Sequence, residues 1–168
     1  MHHELALKSL KGHDLIAALD KANVYRALNQ PEEAESICQD ILAVDPDNQA
    51  AQRTLGLAIT DRLADSVSLF DEAMKVFGKL TDSYERKYHE GIAWERLGKA
   101  RLSRGESHGA LTSLEQALEH YEDAEALGPK SAADPVLRYN RCVRLMQSDR
   151  LLQDAISSPH SREPQLGD

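Results

Sequence analysis

Aromatic residues and long apolar runs are what this sequence most lacks. Aromatic side chains make up 5% of the 168 residues, and tryptophan occurs once. No stretch approaches the roughly 18 consecutive apolar residues of a membrane-spanning helix. The first residues, which read MHHELALKSLKGHD, lack the apolar core of a secretory signal peptide. We therefore expect a soluble, cytoplasmic protein without a membrane partner.

The sequence contains only two cysteines, and it has no excess of positive charge. The two cysteines, Cys38 and Cys142, each lie among Ile, Leu or Val in a helical pattern. This placement predicts buried free thiols in a reducing compartment. Acidic residues outnumber Lys and Arg by 28 to 20, which gives a net charge of −8. That balance argues against a nucleic-acid partner held by bulk charge.

Motifs of catalysis and metal binding are missing as well. There is no glycine-rich phosphate loop, and His89 with its following glutamate lacks the second histidine of an HExxH zinc site. The HHE triplet at residues 2–4 lies at the terminus, which offers a metal no fixed geometry. His108 and His120 fall on the charged sides of their helices, where we expect them to be solvated. We therefore expect no catalytic residue, no metal site and no cofactor.

The residues that are abundant are helix formers with apolar side chains at spacings of three and four. Proline, asparagine, aspartate and glycine separate these periodic segments. No alternating strand pattern occurs, so the predicted fold class is all-α. The predicted helices cover residues 14–28, 31–44, 49–63, 66–80, 84–103, 109–127, 134–147 and 149–156.

Small residues recur at a fixed spacing along this pattern. Ala22 is followed by Ala34, and Gly98 by Ala110, in each case 12 residues later and in the next predicted helix. A glycine inside a helix costs roughly 1 kcal/mol relative to alanine, so its use at Gly98 indicates that another helix approaches closely. A second Leu-Gly pair lies 42 residues before the pair that ends in Gly98. This repetition is typical of a helix–turn–helix solenoid.

One motif and one full repeat resemble the tetratricopeptide repeat family. The stretch WERLG, residues 94–98, is similar to the W-x2-L-G portion of that repeat. Residues 15–48 resemble it over 34 residues, with the expected positions filled by Ala22, Tyr25, Ala34 and Pro46. Two features depart from the family pattern: Arg101 stands where tyrosine is usual, and the later spacing is 42 residues. The residues added relative to a 34-residue repeat amount to about two helical turns, so the apolar side chains remain on the same face of the helix.

The resemblance implies an α–α superhelix of about 3.5–4 helix–turn–helix repeats. We expect a single repeat domain over residues 1–156. The tail at 157–168 has no apolar periodicity and is predicted to be disordered. In solenoids of this kind the first helix of each repeat lines a concave groove, and this groove usually holds a peptide or helix of a partner.

Applying the same offsets in each repeat gives twelve groove positions, of which five are basic and two acidic. Eight of them are the predicted partner contacts: Asn23, Arg26, Arg53, Leu57, Glu95, Lys99, Arg141 and Arg144. The other four are Leu19, Asp61, Leu102 and Leu137. The local excess of positive charge predicts an acidic partner segment, or an amphipathic one with an acidic edge. The alternative is that these side chains cover a solvated surface and pair with neighbouring Glu.

One subtype of the family clamps the C-terminal carboxylate of heat-shock chaperones with five groove residues. Asn23 and Arg96 match two of those positions, whereas Leu19, Thr54 and Ile92 occupy the other three. Both lysines of the clamp are therefore missing, and with them most of the charge that fixes the ligand. We exclude this subtype.

Three functions remain, in falling order. The first is a non-enzymatic adaptor or scaffold that binds a protein or peptide partner in its groove. The second is a small chaperone or secretion cochaperone of the tetratricopeptide repeat type. The third, which nothing in the sequence favours, is a helical enzyme or metal-binding protein. The sequence identifies neither the partner nor the pathway, and it leaves a homo-oligomer open.

Overall fold

The computed structural model describes residues 5–158, and every regular element in this range is helical. The α-helices are α1 (Leu15–Ala27), α2 (Pro31–Val44), α3 (Gln49–Asp61), α4 (Phe70–Phe77), α5 (Ser83–Ser103), α6 (Ser107–Leu127), α7 (Asp134–Ser148) and α8 (Arg150–Ser157). Two 3-10 turns, Gly12–Asp14 and Val67–Leu69, precede α1 and α4. The all-α prediction is therefore confirmed for the described part of the chain.

The helices begin where short polar side chains or proline can satisfy the free N–H groups. Pro31 opens α2 at a first-turn position that needs no N–H donor. The side chains of Asn48 and Asp82 accept hydrogen bonds from Ala51 N at 2.9 Å and Glu85 N at 2.8 Å, which caps α3 and α5. The predicted and observed starts of all helices except α4 agree within two residues.

The predicted ends of the chain differ from the structure in one respect. The disordered tail was predicted to begin at residue 157, but Ser157 is the last residue of α8. Residues 159–168 and the HHE triplet at 2–4 lie outside the described range, so those predictions are not tested.

Consecutive helices pack as antiparallel hairpins: α1 with α2, α3 with α4, α5 with α6, and α7 with α8. Each second helix also contacts the first helix of the next hairpin, and α1 contacts α3, which in turn contacts α5. This sequential arrangement is that of an α–α superhelix. Among the described helices, none combines the length and apolarity that crossing a bilayer requires.

Two hairpin turns occupy equivalent places in the sequence pattern. Asn29, with φ of 58°, ends the first helix of hairpin α1–α2, and Gly105, with φ of 77°, does the same for α5–α6. Each lies seven residues after the small residue of its own repeat, Ala22 or Gly98. Asparagine and glycine are the residues that most readily adopt this left-handed conformation, so the two turns are built alike.

The small residues are the contact points within the hairpins. A Cβ placed on Gly98 would lie 2.9 Å from Leu114 Cγ and 3.3 Å from the carbonyl oxygen of Ala110, so the predicted approach to Ala110 is confirmed. The hairpin α3–α4 is built differently, because Phe77 packs its ring where a Cβ of Gly56 would be, 2.3 Å away. The helix predicted over 66–80 is shorter in the structure, where α4 covers Phe70–Phe77 and is preceded by a 3-10 turn.

The core is divided into two main clusters. One lies among α1 to α4 and contains Cys38 and Ile59, and the other lies among α5 to α8 and contains Leu114 and Cys142. Burial raises the pKa of both cysteine thiols to about 12, in agreement with the predicted buried free thiols. The ring of Trp94 lies 4.5 Å from that of Phe70, so it packs between the two halves of the protein.

Candidate functional site

Polar side chains connect the first helices of the hairpins, α1, α3, α5 and α7, along one surface that we call the inner wall. Asn23 on α1 bonds Thr54 on α3 at 3.3 Å, and Arg53 on α3 bonds Glu85 on α5 at 3.1 Å. These contacts hold neighbouring first helices in register, because each one bridges two hairpins. The other three first helices also carry an arginine that reaches a carboxylate on a neighbouring helix. These are Arg26 on α1, Arg96 on α5 and Arg138 on α7.

Asp61 at the end of α3 lies between two of those arginines. Arg26 on α1 donates to its carboxylate at 2.8 Å, and the Arg96 guanidinium of α5 lies 2.6 Å from it. Arg96 also donates to the carbonyl oxygen of Leu57 at 3.1 Å. Burial lowers the pKa of Arg96, while the charge of Asp61 opposes that shift. Arg96 remains protonated at any physiological pH, so the cluster carries two positive charges and one negative charge.

Glu95 on α5 forms a second, more deeply buried cluster. Its side chain is 2% exposed and accepts from Tyr121 Oη at 2.6 Å and from Arg138 Nη1 at 3.1 Å, and it also pairs with Lys99. Burial alone would raise the pKa of Glu95, but the hydrogen bonds from Lys99 and Tyr121 outweigh it and hold the pKa below its usual value. Glu95 is therefore ionised at neutral pH, and two cations share it.

Two cavities lie on either side of Asp61. The first, about 310 Å³, is lined by Arg96, Lys99 and small or apolar residues such as Leu63 and Ala100. The second, about 360 Å³, is lined by Asn23, Arg26, Ala27, Asn29 and Asp61. Asp61 lines both, so they form one depression across α1, α3 and α5, which we call the Asp61 groove.

The charges beside the Asp61 groove do not cancel. Of the charged side chains that line the two cavities, Arg26, Arg96 and Lys99 are positive and Asp61 is negative. The lining therefore carries a surplus of two positive charges in a chain with a net charge of −8.

The predicted groove residues separate into three groups. Asn23, Arg26 and Lys99 lie together in the Asp61 groove. Arg141 and Arg144 are exposed on α7 and make no ion pair within residues 5–158. Arg53, Leu57 and Glu95 serve contacts between helices: Arg53 pairs with Glu85, Leu57 packs into the core, and Glu95 is buried. The alternative, in which groove cations pair with neighbouring Glu, describes Arg53 and Lys99. Arg26 pairs instead with Asp61, which is itself one of the twelve groove positions.

Three side chains of the inner wall share a register that the sequence contained. Thr54, Arg96 and Arg138 are spaced 42 residues apart, and each reaches back to the preceding first helix. Arg96 and Arg138 were not among the eight predicted contacts. The 42-residue spacing that identified the repeat would have found them if it had been applied to polar residues as well as to small ones.

The prediction that His108 and His120 are solvated is wrong. His120 Nδ1 lies 2.8 Å from the carbonyl oxygen of Gln116, and its Nε2 lies 3.5 Å from a carboxylate oxygen of Glu90. His108 Nε2 is buried without a hydrogen-bond partner in the described part of the chain. For His120 the reason is that α6 packs against α5 at this point, where Glu90 and the ring of Trp94 lie beside the imidazole. Within residues 5–158, no group of three His, Cys, Asp or Glu side chains is arranged to hold a metal.

No family model and no curated protein sequence matches this chain. One of the solved structures that do match is described as "Crystal structure of MamA protein". The similarity has a TM-score of 0.42 and 16% sequence identity, and it covers 94% of this chain and 100% of that one. A likeness of this size assigns neither a family nor a function, so the functional argument rests on the Asp61 groove.

Proposed function

We propose that this protein is a non-enzymatic adaptor that holds a segment of a protein partner in the Asp61 groove. The observation that supports the proposal most is the surplus of two positive charges around two adjoining cavities, in a chain whose total charge is −8.

The lining of the two cavities suggests the chemistry of the partner segment. The first cavity combines Lys99 and Arg96 with an apolar floor that includes Leu63 and Ala100. The second cavity is polar, with Arg26 and Asn23 on its sides. A segment with an apolar side chain next to one or more carboxylates would satisfy both. Charge complementarity of this kind speeds association and selects partners, while apolar contacts supply salt-insensitive affinity.

Selection of peptides against the purified protein tests the proposal. A display library of random dodecapeptides is enriched on the wild-type protein, and the enriched peptides are titrated against wild type and Lys99→Gln. Lys99 is 41% exposed, and glutamine keeps most of its length while removing the charge. Lys75→Gln is the matched control, because Lys75 is an exposed lysine on α4, away from the inner wall.

The expected result is that the enriched peptides are acidic and bind Lys99→Gln severalfold more weakly, with no change for Lys75→Gln. The difference should shrink as salt rises, because exposed charges are screened over about 10 Å at 0.1 M. Peptides whose binding is equal for wild type and Lys99→Gln would place the binding surface outside the groove and contradict the proposal.

A further inference from the structure

Asp61 occupies the position in the inner wall that an acidic ligand would be expected to take. Its carboxylate is 2.8 Å from the Arg26 side chain and 2.6 Å from the Arg96 side chain, and it lines both cavities. Arg96 also donates to the carbonyl oxygen of Leu57 and to the hydroxyl of Thr60, so the chain supplies further acceptors for this guanidinium. What stays unbalanced is the charge, because two guanidinium groups share the single carboxylate of Asp61.

Asp61 and Glu95, the two acids of the inner wall that are each shared by two cations, differ in their access to solvent. Glu95 is 2% exposed and is covered by Tyr121 and Arg138, so no ligand can reach it without rearrangement. The Asp61 side chain is 20% exposed and borders open space on two sides. The first arrangement is that of an internal structural ion pair. The second leaves the cations, and the carboxylate between them, accessible to a partner.

We propose that Asp61 is an internal competitor for the partner's carboxylate: it takes up part of the positive charge of Arg26 and Arg96 and so weakens the binding of acidic segments. This inference rests on the proposed function, because it concerns the same groove. A partner carboxylate entering either cavity gains the attraction of Arg26, Arg96 and Lys99, but it also meets the like charge of Asp61. Asp61 thereby sets the affinity of the groove and requires a partner to supply apolar contacts in addition to charge.

The test is a change that should improve binding. Asp61→Asn keeps the shape of the side chain and removes its charge. The probe is an acidic peptide enriched on the wild-type protein, together with a version in which every Asp and Glu is replaced by Asn and Gln. The acidic peptide should bind Asp61→Asn about fivefold more tightly than wild type, which corresponds to roughly 1 kcal/mol of repulsion between two charges about 4 Å apart in water. The neutral peptide should show no such gain.

Two further variants control for charge and for folding. Asp71→Asn removes the same charge from an exposed position on α4 and should leave both peptides unaffected, which excludes a general effect of net charge. Asp61→Glu keeps the charge but reaches further into the cavities, so it should bind the acidic peptide more weakly than wild type. Its melting curve and that of Asp61→Asn show whether each variant is folded.

The outcomes separate this inference from the proposed function. Equal or weaker binding of the acidic peptide by folded Asp61→Asn would overturn the role of Asp61, while the dependence on Lys99 would still support the adaptor. Binding that does not depend on Lys99 in the first place would overturn both. A gain that appears equally with the neutral peptide would show that Asp61 acts through the shape of the groove and would also contradict the inference.

Discussion

At Gly98, helices α5 and α6 approach so closely that even a methyl group would have little room. A Cβ at this position would be 2.9 Å from Leu114 and 3.3 Å from the backbone oxygen of Ala110, and the backbone cannot move aside without shifting a whole helix. Gly98→Leu should therefore lower the free energy of unfolding by about 1–3 kcal/mol or more. The measurement is urea unfolding, with Gly12→Leu as control, because a Cβ at Gly12 meets nothing within 4 Å. Equal stability of both variants would contradict the helix contact.

His120 gives the stability of the protein a defined dependence on pH. The hydrogen-bonded carboxylate of Glu90 raises the pKa of His120, although burial and the charge of Lys87 oppose the shift. The protonated form is favoured in the folded state, so its contribution is fully present below the unfolded pKa of about 6.5 and is lost as the pH rises through the raised pKa. His89 acts in the opposite direction, because burial lowers its pKa.

The effect of His120 can be isolated by comparing two proteins that both retain His89. Relative to wild type, His120→Gln should lose more unfolding free energy at a pH well below about 6.5 than at a pH well above the raised pKa of His120 in the folded protein. Urea unfolding at the two pH values measures this difference. A loss that is the same at both would mean that the Glu90 pair does not stabilise the folded state through charge.

At the scale of the helices, the Glu95 cluster is the polar connection between α5 and α7. Arg138 on α7 donates to Glu95 at 3.1 Å and to the hydroxyl of Tyr88, also on α5, at 3.2 Å. Glu95→Ala leaves a buried tyrosine hydroxyl and two cations without their shared acceptor. Removing one partner of a buried pair costs roughly 3–5 kcal/mol when the site is fully enclosed. Here Arg138 is 34% exposed, so we expect about 2–3 kcal/mol in urea unfolding.

Glu125→Ala is the matched control for this prediction, because Glu125 is an exposed glutamate on α6. Its unfolding free energy should stay within about 0.5 kcal/mol of wild type. Hydrogen exchange should also show faster exchange of α7 amides in Glu95→Ala than in wild type. An unchanged α7 would mean that apolar packing alone holds this helix.

The helices themselves were more predictable than the contacts between them. Local signals such as Pro31, Asn48 and Asp82 act within one turn of the chain, so they set helix starts that the sequence alone could locate. The break before α4 was missed because the apolar spacing continues through it. In the structure, residues Val67–Leu69 form a 3-10 turn there, with the hydroxyls of Ser66 and Ser68 bonded to each other at 2.7 Å.

The candidate site was predictable in part for a related reason. Repeat offsets placed Asn23, Arg26 and Lys99 on one surface, since a fixed offset selects one face of each helix. They could not show that Glu95 is buried, because its cover comes from Tyr121 and Arg138, on two other helices. Those contacts depend on how neighbouring helices and hairpins are stacked. The periodic pattern of one helix does not show which side chains of other helices will cover it.

For the molecule as a whole, stability should be uneven along the chain. In α1 the only buried residue is Ala22, whereas Ile16 and Val24 are exposed; in α5 eight residues are buried. Helices with few buried apolar contacts open most readily, so α1 amides should exchange with deuterium well before those of α5 and α6. Native-state hydrogen exchange measured by mass spectrometry tests this. Uniform protection from α1 to α8 would show that the chain unfolds as a single cooperative unit.

The 42-residue register of Thr54, Arg96 and Arg138 also fixes the order in which the hairpins can be joined. When α1 is aligned with α3 at an offset of 34 residues, Arg26 is equivalent to Thr60 and Ala27 is equivalent to Asp61. If the α5–α6 hairpin were stacked directly on α1–α2, Arg96 would meet Arg26 and no carboxylate. The hairpins are therefore not interchangeable modules, and a chain with its units shuffled would bring like charges together at the new junction.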